Sequence, residues 1–165
     1  MDNTMEILGD FQTSVRKALS EIDPRWESRD GLIICGSHSP TLSDDAVEPI
    51  LEKIKEAREQ GRAVLGICWG YQLCAIEYAR NVLGIQDATS EEWGNGTFVV
   101  KKRSEPLVGL REGQSYWSYY EVEPEIEAQW KKPANWVTVP HHPEYQSSYW
   151  NPHPLLVSFL GLCKK

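Results

Sequence analysis

The chain has 165 residues, a formal net charge of −7 and a sequence pI of about 5.1. This length supports one domain with a proper core, so we expect residues 1–165 to form a single domain. The acidic balance argues against nucleic acid and anionic membrane as partners. No apolar run reaches transmembrane length or resembles a signal-peptide core, so we expect no membrane association. No C-x-x-C pair joins the four cysteines, and we expect a cytoplasmic protein with reduced thiols at Cys35, Cys68, Cys74 and Cys163.

The first half of the chain alternates between strand and helix patterns. Apolar runs predict strands at 5–8, 30–35 and 63–67, and helical apolar spacing predicts helices at 12–22, 47–61 and 71–83. A β-α-β-α-β-α order predicts a parallel sheet with right-handed crossovers. Ligands of such sheets bind outside the carboxyl ends of the strands.

The second half is richer in turns and aromatic residues. We expect strands at 97–100, 117–122 and 135–139, which add antiparallel strands to one edge of the sheet, and a closing helix at 154–162. The predicted fold is therefore α/β, a three-layer sandwich with a mostly parallel central sheet and antiparallel edge strands. We expect the aromatic residues of this half to pack in the core and along the sheet edge, with a binding surface as the alternative. They are Trp93, Tyr116, Trp117, Tyr119, Tyr120, Trp130 and Trp136.

One short stretch between a predicted strand and a predicted helix carries the strongest chemical signal. It reads Gly66-Ile67-Cys68-Trp69-Gly70, which is the pattern of a nucleophile elbow. The tight turn exposes the sulfur at the carboxyl end of the sheet, and the positive end of the following helix favours a thiolate and an oxyanion. The alternative is that Cys68 is a buried core cysteine.

Two other stretches fit the same chemistry. His142 and Glu144 are two residues apart on an extended segment, so both side chains point the same way and form a relay for a thiol nucleophile. The alternative is a loop histidine beside a surface acid. A loop of small residues, 36–40, allows a ligand to approach the backbone, although an ordinary turn fits it equally well, with His38 as polar surface.

These residues give the chain a resemblance to a known family. GICWGYQ followed by H-P-E resembles the class I glutamine amidotransferases, which have a flavodoxin-like fold, and is most similar to the glutaminase domain of CTP synthases. The stretches IEYARNVLG, DATSEEW and HHPEYQSS extend that similarity. The similarity is specific over 30–93 and 120–162 and faint elsewhere, and we expect a strand-helix portion near the N-terminus to be trimmed relative to the family.

The resemblance implies a role for each matching residue. Cys68 would attack the side-chain amide of glutamine, His142 would pass the proton to the leaving ammonia, and Glu144 would orient His142. The backbone N–H groups of Gly36 and Trp69 would hold the oxyanion. Water would then hydrolyse the thioester, and neither a metal nor another cofactor is needed.

The resemblance also implies a substrate site, and here the chain departs from the family. Gln72 and Glu92 match positions that hold glutamine, Glu92 through the α-amino group. The arginine that binds the carboxylate has no counterpart, because Tyr119 stands near its position. Arg103, Arg111 or a partner's side chain could supply that cation instead.

The sequence alone leaves three functions open. The intact relay favours hydrolysis of glutamine or a related small amide. A degenerate homologue that acts as a binding or regulatory module is the second, and a related hydrolase with altered specificity is the third. The family's ATP-dependent synthetase domain has no counterpart here, which leaves a separate synthetase or ammonia-acceptor subunit open as a partner.

Overall fold

The computed structural model describes residues 4–38, 40, 42, 44–104 and 119–165. Its strands are β1 (Glu6–Leu8), β2 (Leu32–Ile34), β3 (Val64–Ile67), β4 (Ala88–Ser90), β5 (Thr97–Lys102), β6 (Tyr120–Val122) and β7 (Trp136–Val139). Its helices are α1 (Gln12–Ile22), α2 (Asp44–Gln60), α3 (Trp69–Asn81), α4 (Pro124–Gln129) and α5 (Pro154–Leu162), with short 3-10 helices at Trp26–Ser28 and Pro143–Gln146.

A parallel sheet lies at the centre of the fold. Its strand order is β1-β2-β3-β7, and every neighbouring pair is parallel. Side chains alternate between its faces: Leu32 and Val64 pack with α2 and α3, whereas Ile33 and Leu65 pack with α1 and α5. Helices thus cover both faces, which confirms the predicted three-layer α/β class.

The later strands form a second, smaller sheet. Its order is β4-β5-β6, with β4 and β5 parallel and β5 and β6 antiparallel. The antiparallel pair β5–β6 forms the predicted edge sheet, but it is not hydrogen-bonded to the central sheet. The third strand predicted there, 135–139, is instead β7, which joins the central sheet as a parallel neighbour of β3. The sequence also does not predict β4 or α4. Val99, Val100 and Val122 instead pack into the α2–α3 side of the core, so side-chain packing joins the two sheets.

The prediction that all crossovers are right-handed is wrong. Strands β1, β2 and β3 lie side by side in chain order, so both connections step the same way across the sheet. Helices α1 and α2 nevertheless pack on opposite faces, which gives the two crossovers opposite hands. The first connection also contains segment 23–31, which runs beside β1, where Met5 N–H donates to Glu27 O (3.3 Å).

Two details of the helices bear on the site. Helix α3 begins at Trp69, two residues before the predicted start, so it follows Cys68 directly. Gly61 directly follows α2 and adopts φ +67°, the left-handed conformation in which helices commonly end at a glycine. Among the described residues, no helix is long and apolar enough to cross a membrane.

A buried ion pair fastens α2 to α3. The Glu77 side chain is fully buried, and the Arg58 guanidinium contacts both of its carboxylate oxygens at 2.7–3.1 Å. Asn81 Nδ2 donates a further bond to Glu77 Oε1 at 3.2 Å.

We expect Arg58→Ala to destabilise the protein by about 3–5 kcal/mol, because it leaves the Glu77 carboxylate buried without a cation. Lys55→Ala on the same helix is the matched control, since its pair with Glu52 is exposed and should contribute less than about 1 kcal/mol. Urea unfolding of both variants measures the difference. Equal losses would contradict a special role for the buried pair.

Candidate active site

Cys68 occupies a strained turn between β3 and α3. Its backbone has φ +54° and ψ −103°, the one positive φ at a non-glycine residue in the described part of the chain. Such a conformation costs about 1–3 kcal/mol and persists only where the surroundings enforce it. Here Cys68 N–H donates to Val139 O (2.8 Å) and Cys68 O accepts from Gln72 N–H (3.1 Å), so β7 and α3 hold the turn from both sides.

The two glycines of the pentad are required by close packing. A Cβ built at Gly70 would lie 2.1 Å from Ile34 O, and one at Gly66 would lie 3.0 Å from Gly70 O. The first turn of α3 therefore crosses directly over the backbone of β2 and β3. Only residues without side chains permit this approach, which fits the elbow that the sequence predicts.

His142 lies between Cys68 and Glu144, although residues 143–146 form a 3-10 helix and not the extended segment that the sequence predicts. His142 Nδ1 and Glu144 Oε1 are 2.7 Å apart, and the Cys68 thiol is hydrogen-bonded to His142. Both partners of the His142–Glu144 pair are buried. Burial lowers the pKa of His142, but the bonds to Cys68 and Glu144 outweigh it and raise that pKa to about 9. These two contacts thus favour the charged form of the imidazole.

The loop after β2 lies against this relay. A Cβ built at Gly36 would be 2.7 Å from His142 Cε1 and 2.6 Å from Phe11 Cδ2, so a side chain here would displace one of these two rings. Gly36 O accepts from Asp10 N–H (3.0 Å) and Phe11 N–H (3.2 Å), which fixes the orientation of its peptide. Trp69 is the first residue of α3, where backbone N–H groups have no acceptor within the helix.

The predicted substrate residues Gln72 and Glu92 contact each other. Gln72 Nε2 donates to Glu92 Oε2 at 2.6 Å, and Gln72 Oε1 accepts from Ser90 Oγ at 2.5 Å. Gln72 and Ser90 are fully buried, and burial raises the pKa of Glu92. Gln72 follows Cys68 by one turn of α3, so this cluster lies next to the elbow.

Tyr119 lies apart from these groups. It directly precedes β6 and is 38% exposed, and its backbone O accepts from Arg103 N–H at 2.6 Å. Among the described residues, no hydrogen bond or ring contact links its side chain to the relay. Arg103 forms an exposed ion pair with Glu121. Residues 117 and 118 and Arg111 lie outside the described residues.

The turn between β1 and α1, to which the sequence pattern assigns no role, also belongs to the site. The Phe11 ring lies edge-on to His142 (centroids 5.5 Å apart) and to His38 (4.2 Å). Asp10 Oδ2 accepts from Ser37 Oγ (2.7 Å) and from His38 N–H (2.9 Å), so this carboxylate fastens the loop after β2. Their position in the sequence indicates a place near the site, because Asp10 and Phe11 follow a predicted parallel strand, at the edge of the sheet where ligands bind.

The described residues do not assemble a metal centre. No group of three or more His, Cys, Asp and Glu side chains in this part of the chain is arranged to hold a metal ion.

Comparison with known proteins identifies the family. The model of the class-I glutamine amidotransferases matches residues 9–123. The CTP synthase of Methanoculleus marisnigri is 36% identical over 110 residues, which cover 60% of this chain and 20% of that protein. The CTP synthase of Acinetobacter baylyi is 53% identical over 57 residues, covering 34% of this chain and 9% of that protein. The matched part thus spans a fifth or less of these relatives.

A solved structure matches the fold over nearly the whole chain. The glutaminase domain of Trypanosoma brucei CTPS, with bound acivicin, superposes with a TM-score of 0.70 and 17% sequence identity, covering 96% of this chain and 92% of that one. The fold is therefore that of a glutaminase domain of the CTP synthase type. With the family model covering most of its length, the chain belongs to the class-I glutamine amidotransferases.

We expect Cys68 to be the first thiol alkylated by iodoacetamide at neutral pH. It is partly exposed, whereas Cys35, Cys74 and Cys163 are buried. Burial raises the pKa of Cys163 to about 12 and raises the pKa of Cys35 and of Cys74 strongly, which keeps all three thiols protonated and unreactive.

Limited alkylation followed by peptide mapping measures the order of reaction. Cys68→Ser is the control, and it should abolish the fast phase of labelling. First labelling at Cys35, Cys74 or Cys163 would contradict the assignment of Cys68 as the reactive thiol.

Proposed function

We propose that the chain hydrolyses the side-chain amide of glutamine or a related small amide and releases ammonia. The observation that carries this proposal is the hydrogen-bonded chain from the strained Cys68 through His142 to Glu144. Membership of the class-I glutamine amidotransferases supports it. In this proposal residues 1–165 act as one glutamine amidotransferase-like domain.

The first half of the reaction forms a thioester. The Cys68 sulfur attacks the amide carbon as the proton of the thiol passes to His142. The backbone N–H groups of Gly36 and Trp69 hold the oxyanion that develops on the carbonyl oxygen. As the C–N bond breaks, His142 gives its proton to the nitrogen, which leaves as ammonia. The raised pKa of His142 favours the charged form that carries this proton between the two steps.

The second half restores the enzyme. Water attacks the thioester carbon, its proton passes to His142, and the C–S bond breaks to leave a carboxylic acid. Glu144 holds the imidazole in place through Nδ1 and stabilises its charged form. The described groups supply the nucleophile, the acid and the base, so neither a metal nor another cofactor enters the proposal.

Substrate recognition in this proposal rests on the pair beside the elbow. Glu92 binds the α-amino group as an ammonium. Gln72, which donates to Glu92, lies in the first turn of α3, directly after the nucleophile Cys68. Tyr119, near the position of the family's carboxylate-binding arginine, offers one neutral donor at most. A separate synthetase or ammonia-acceptor subunit would use the ammonia, as the CTP synthase relatives suggest.

We expect His142→Ala to lower ammonia release from glutamine, or from the best amide of a small panel, by about 100-fold or more, because proton transfer is lost. Glu144→Ala should retain partial activity, since the base remains but its orientation is lost. An enzyme-coupled ammonia assay measures both. His141→Ala is the matched control and should keep near wild-type activity, because the bonds of the relay do not involve His141.

Two outcomes would contradict the proposal. Full activity in His142→Ala together with loss in His141→Ala would move the role to the neighbouring histidine. A correctly folded wild-type protein that releases ammonia from none of the amides would favour the alternative of a binding or regulatory module.

We expect the protein to bind free glutamine weakly and to accept amides without a free α-carboxylate. A charge-assisted hydrogen bond contributes roughly 1.5–3 kcal/mol, so its loss weakens binding about ten- to a hundredfold. Steady-state kinetics with glutamine and its carboxyl-amidated analogue should therefore give similar KM values. A KM for glutamine well below millimolar that is lost on amidation would show that Arg103, Arg111 or a partner supplies the cation, and would restore an ordinary glutaminase.

A further inference from the structure

A buried hydroxyl stands behind the pair proposed to recognise the substrate. Ser90 is fully buried on β4, and its Oγ donates to Gln72 Oε1 at 2.5 Å while accepting from Glu92 N–H at 3.1 Å. Gln72 is only 1% exposed, and its Nε2 donates in turn to Glu92 Oε2 at 2.6 Å. Three side chains thus form one hydrogen-bonded line that ends at Glu92.

The orientation of the Gln72 amide decides which form of Glu92 this line stabilises. A carboxylate only accepts, so it needs the NH2 end of the amide, whereas a protonated carboxyl group can donate to the oxygen end. The Ser90 hydroxyl donates to that oxygen end. Turning the amide over would leave the Ser90 hydroxyl without its buried acceptor, which is unfavourable.

We propose that Ser90 is a positioning residue for the amino group of the substrate: it locks the Gln72 amide so that its NH2 group faces Glu92, and thereby keeps Glu92 a carboxylate able to bind an ammonium. The inference rests on the proposed function, in which Glu92 receives that group. The hydroxyl itself does not touch the reacting atoms.

The environment of Glu92 explains why such a lock has an effect. Burial raises the pKa of this carboxyl group, and the bond from Gln72 opposes that rise. Tyr120 is the titratable group that faces Glu92 from β6, and burial together with Glu92 and Glu91 raises its pKa, so it remains neutral. The protonation of Glu92 thus depends on the balance between burial, which raises its pKa, and the hydrogen bond from the Gln72 NH2 group, which lowers it.

The kinetic test compares Ser90→Ala and Ser90→Cys with wild type, on glutamine and on its analogue that lacks the α-amino group. Both variants should raise KM for glutamine about tenfold, the effect of weakening one charge-assisted contact, with kcat nearly unchanged. KM for the desamino analogue should not change. Because the carboxylate is lost at higher pH in the variants, the KM defect should begin at higher pH than in wild type and grow as pH falls.

Thr89→Val is the matched control. Thr89 is the neighbouring buried residue on β4, and its Oγ1 has no hydrogen-bond partner among the described residues. Removing this hydroxyl should leave KM for both substrates unchanged. A rise in KM for both substrates in the Ser90 variants, or an equal effect of Thr89→Val, would reduce Ser90 to a structural role and overturn the inference.

A second measurement does not depend on activity. Carbon-13 NMR of the glutamate carboxyl groups, with Glu92 assigned through Glu92→Gln, should show a higher pKa for Glu92 in Ser90→Ala and Ser90→Cys than in wild type and Thr89→Val. Equal values in all four proteins would overturn the inference. If the wild type turns over no amide, the proposed function fails while this titration still decides whether Ser90 controls Glu92.

Discussion

The positive φ of Cys68 is the constraint on which the rest of the site depends. A non-glycine residue keeps this conformation only when its neighbours leave it no alternative. Here the constraint comes from α3, which crosses the sheet so closely that Gly66 and Gly70 have no room for a side chain. Strain at one residue is thereby stabilised by the packing of a whole helix, and it projects the sulfur beyond the end of β3.

The central sheet brings the relay to that sulfur. Strands β3 and β7 are parallel neighbours, and Ile67 pairs with Val139, so the segments that follow the two strands leave the sheet at the same level. His142 and Glu144 therefore reach Cys68 although they are far apart in sequence. The turn after β1 completes the arrangement, because Asp10 and Phe11 hold the loop of Gly36 against His142.

The sequence predicted best where local rules and tertiary packing agree. The bounds of α1 and α5 follow from apolar periodicity, and the elbow follows from the glycine spacing around Cys68. The His142–Glu144 contact is predicted as well, but from spacing on an extended segment, whereas Glu144 lies in the 3-10 helix Pro143–Gln146. In these cases the pattern depends on residues within one helix or within the turn at the end of one predicted strand.

What the sequence missed depends on contacts between distant segments. The opposite faces on which α1 and α2 pack depend on such contacts, and so does the second sheet, through the packing of Val99 and Val122 on the core. The bond between Ser90 and Gln72 is of the same kind, since β4 itself was not predicted. The place of Tyr119, outside the hydrogen-bonded cluster, could not be read from its neighbours in sequence either.

The most direct test of this account is to trap the covalent intermediate. The protein is mixed with glutamine or its best amide, quenched in acid during turnover, and digested for mass spectrometry. The account predicts an acyl thioester on the peptide that contains Cys68, and its absence from Cys68→Ser. Ammonia release that continues in Cys68→Ser, or an acyl group found on another residue, would contradict it.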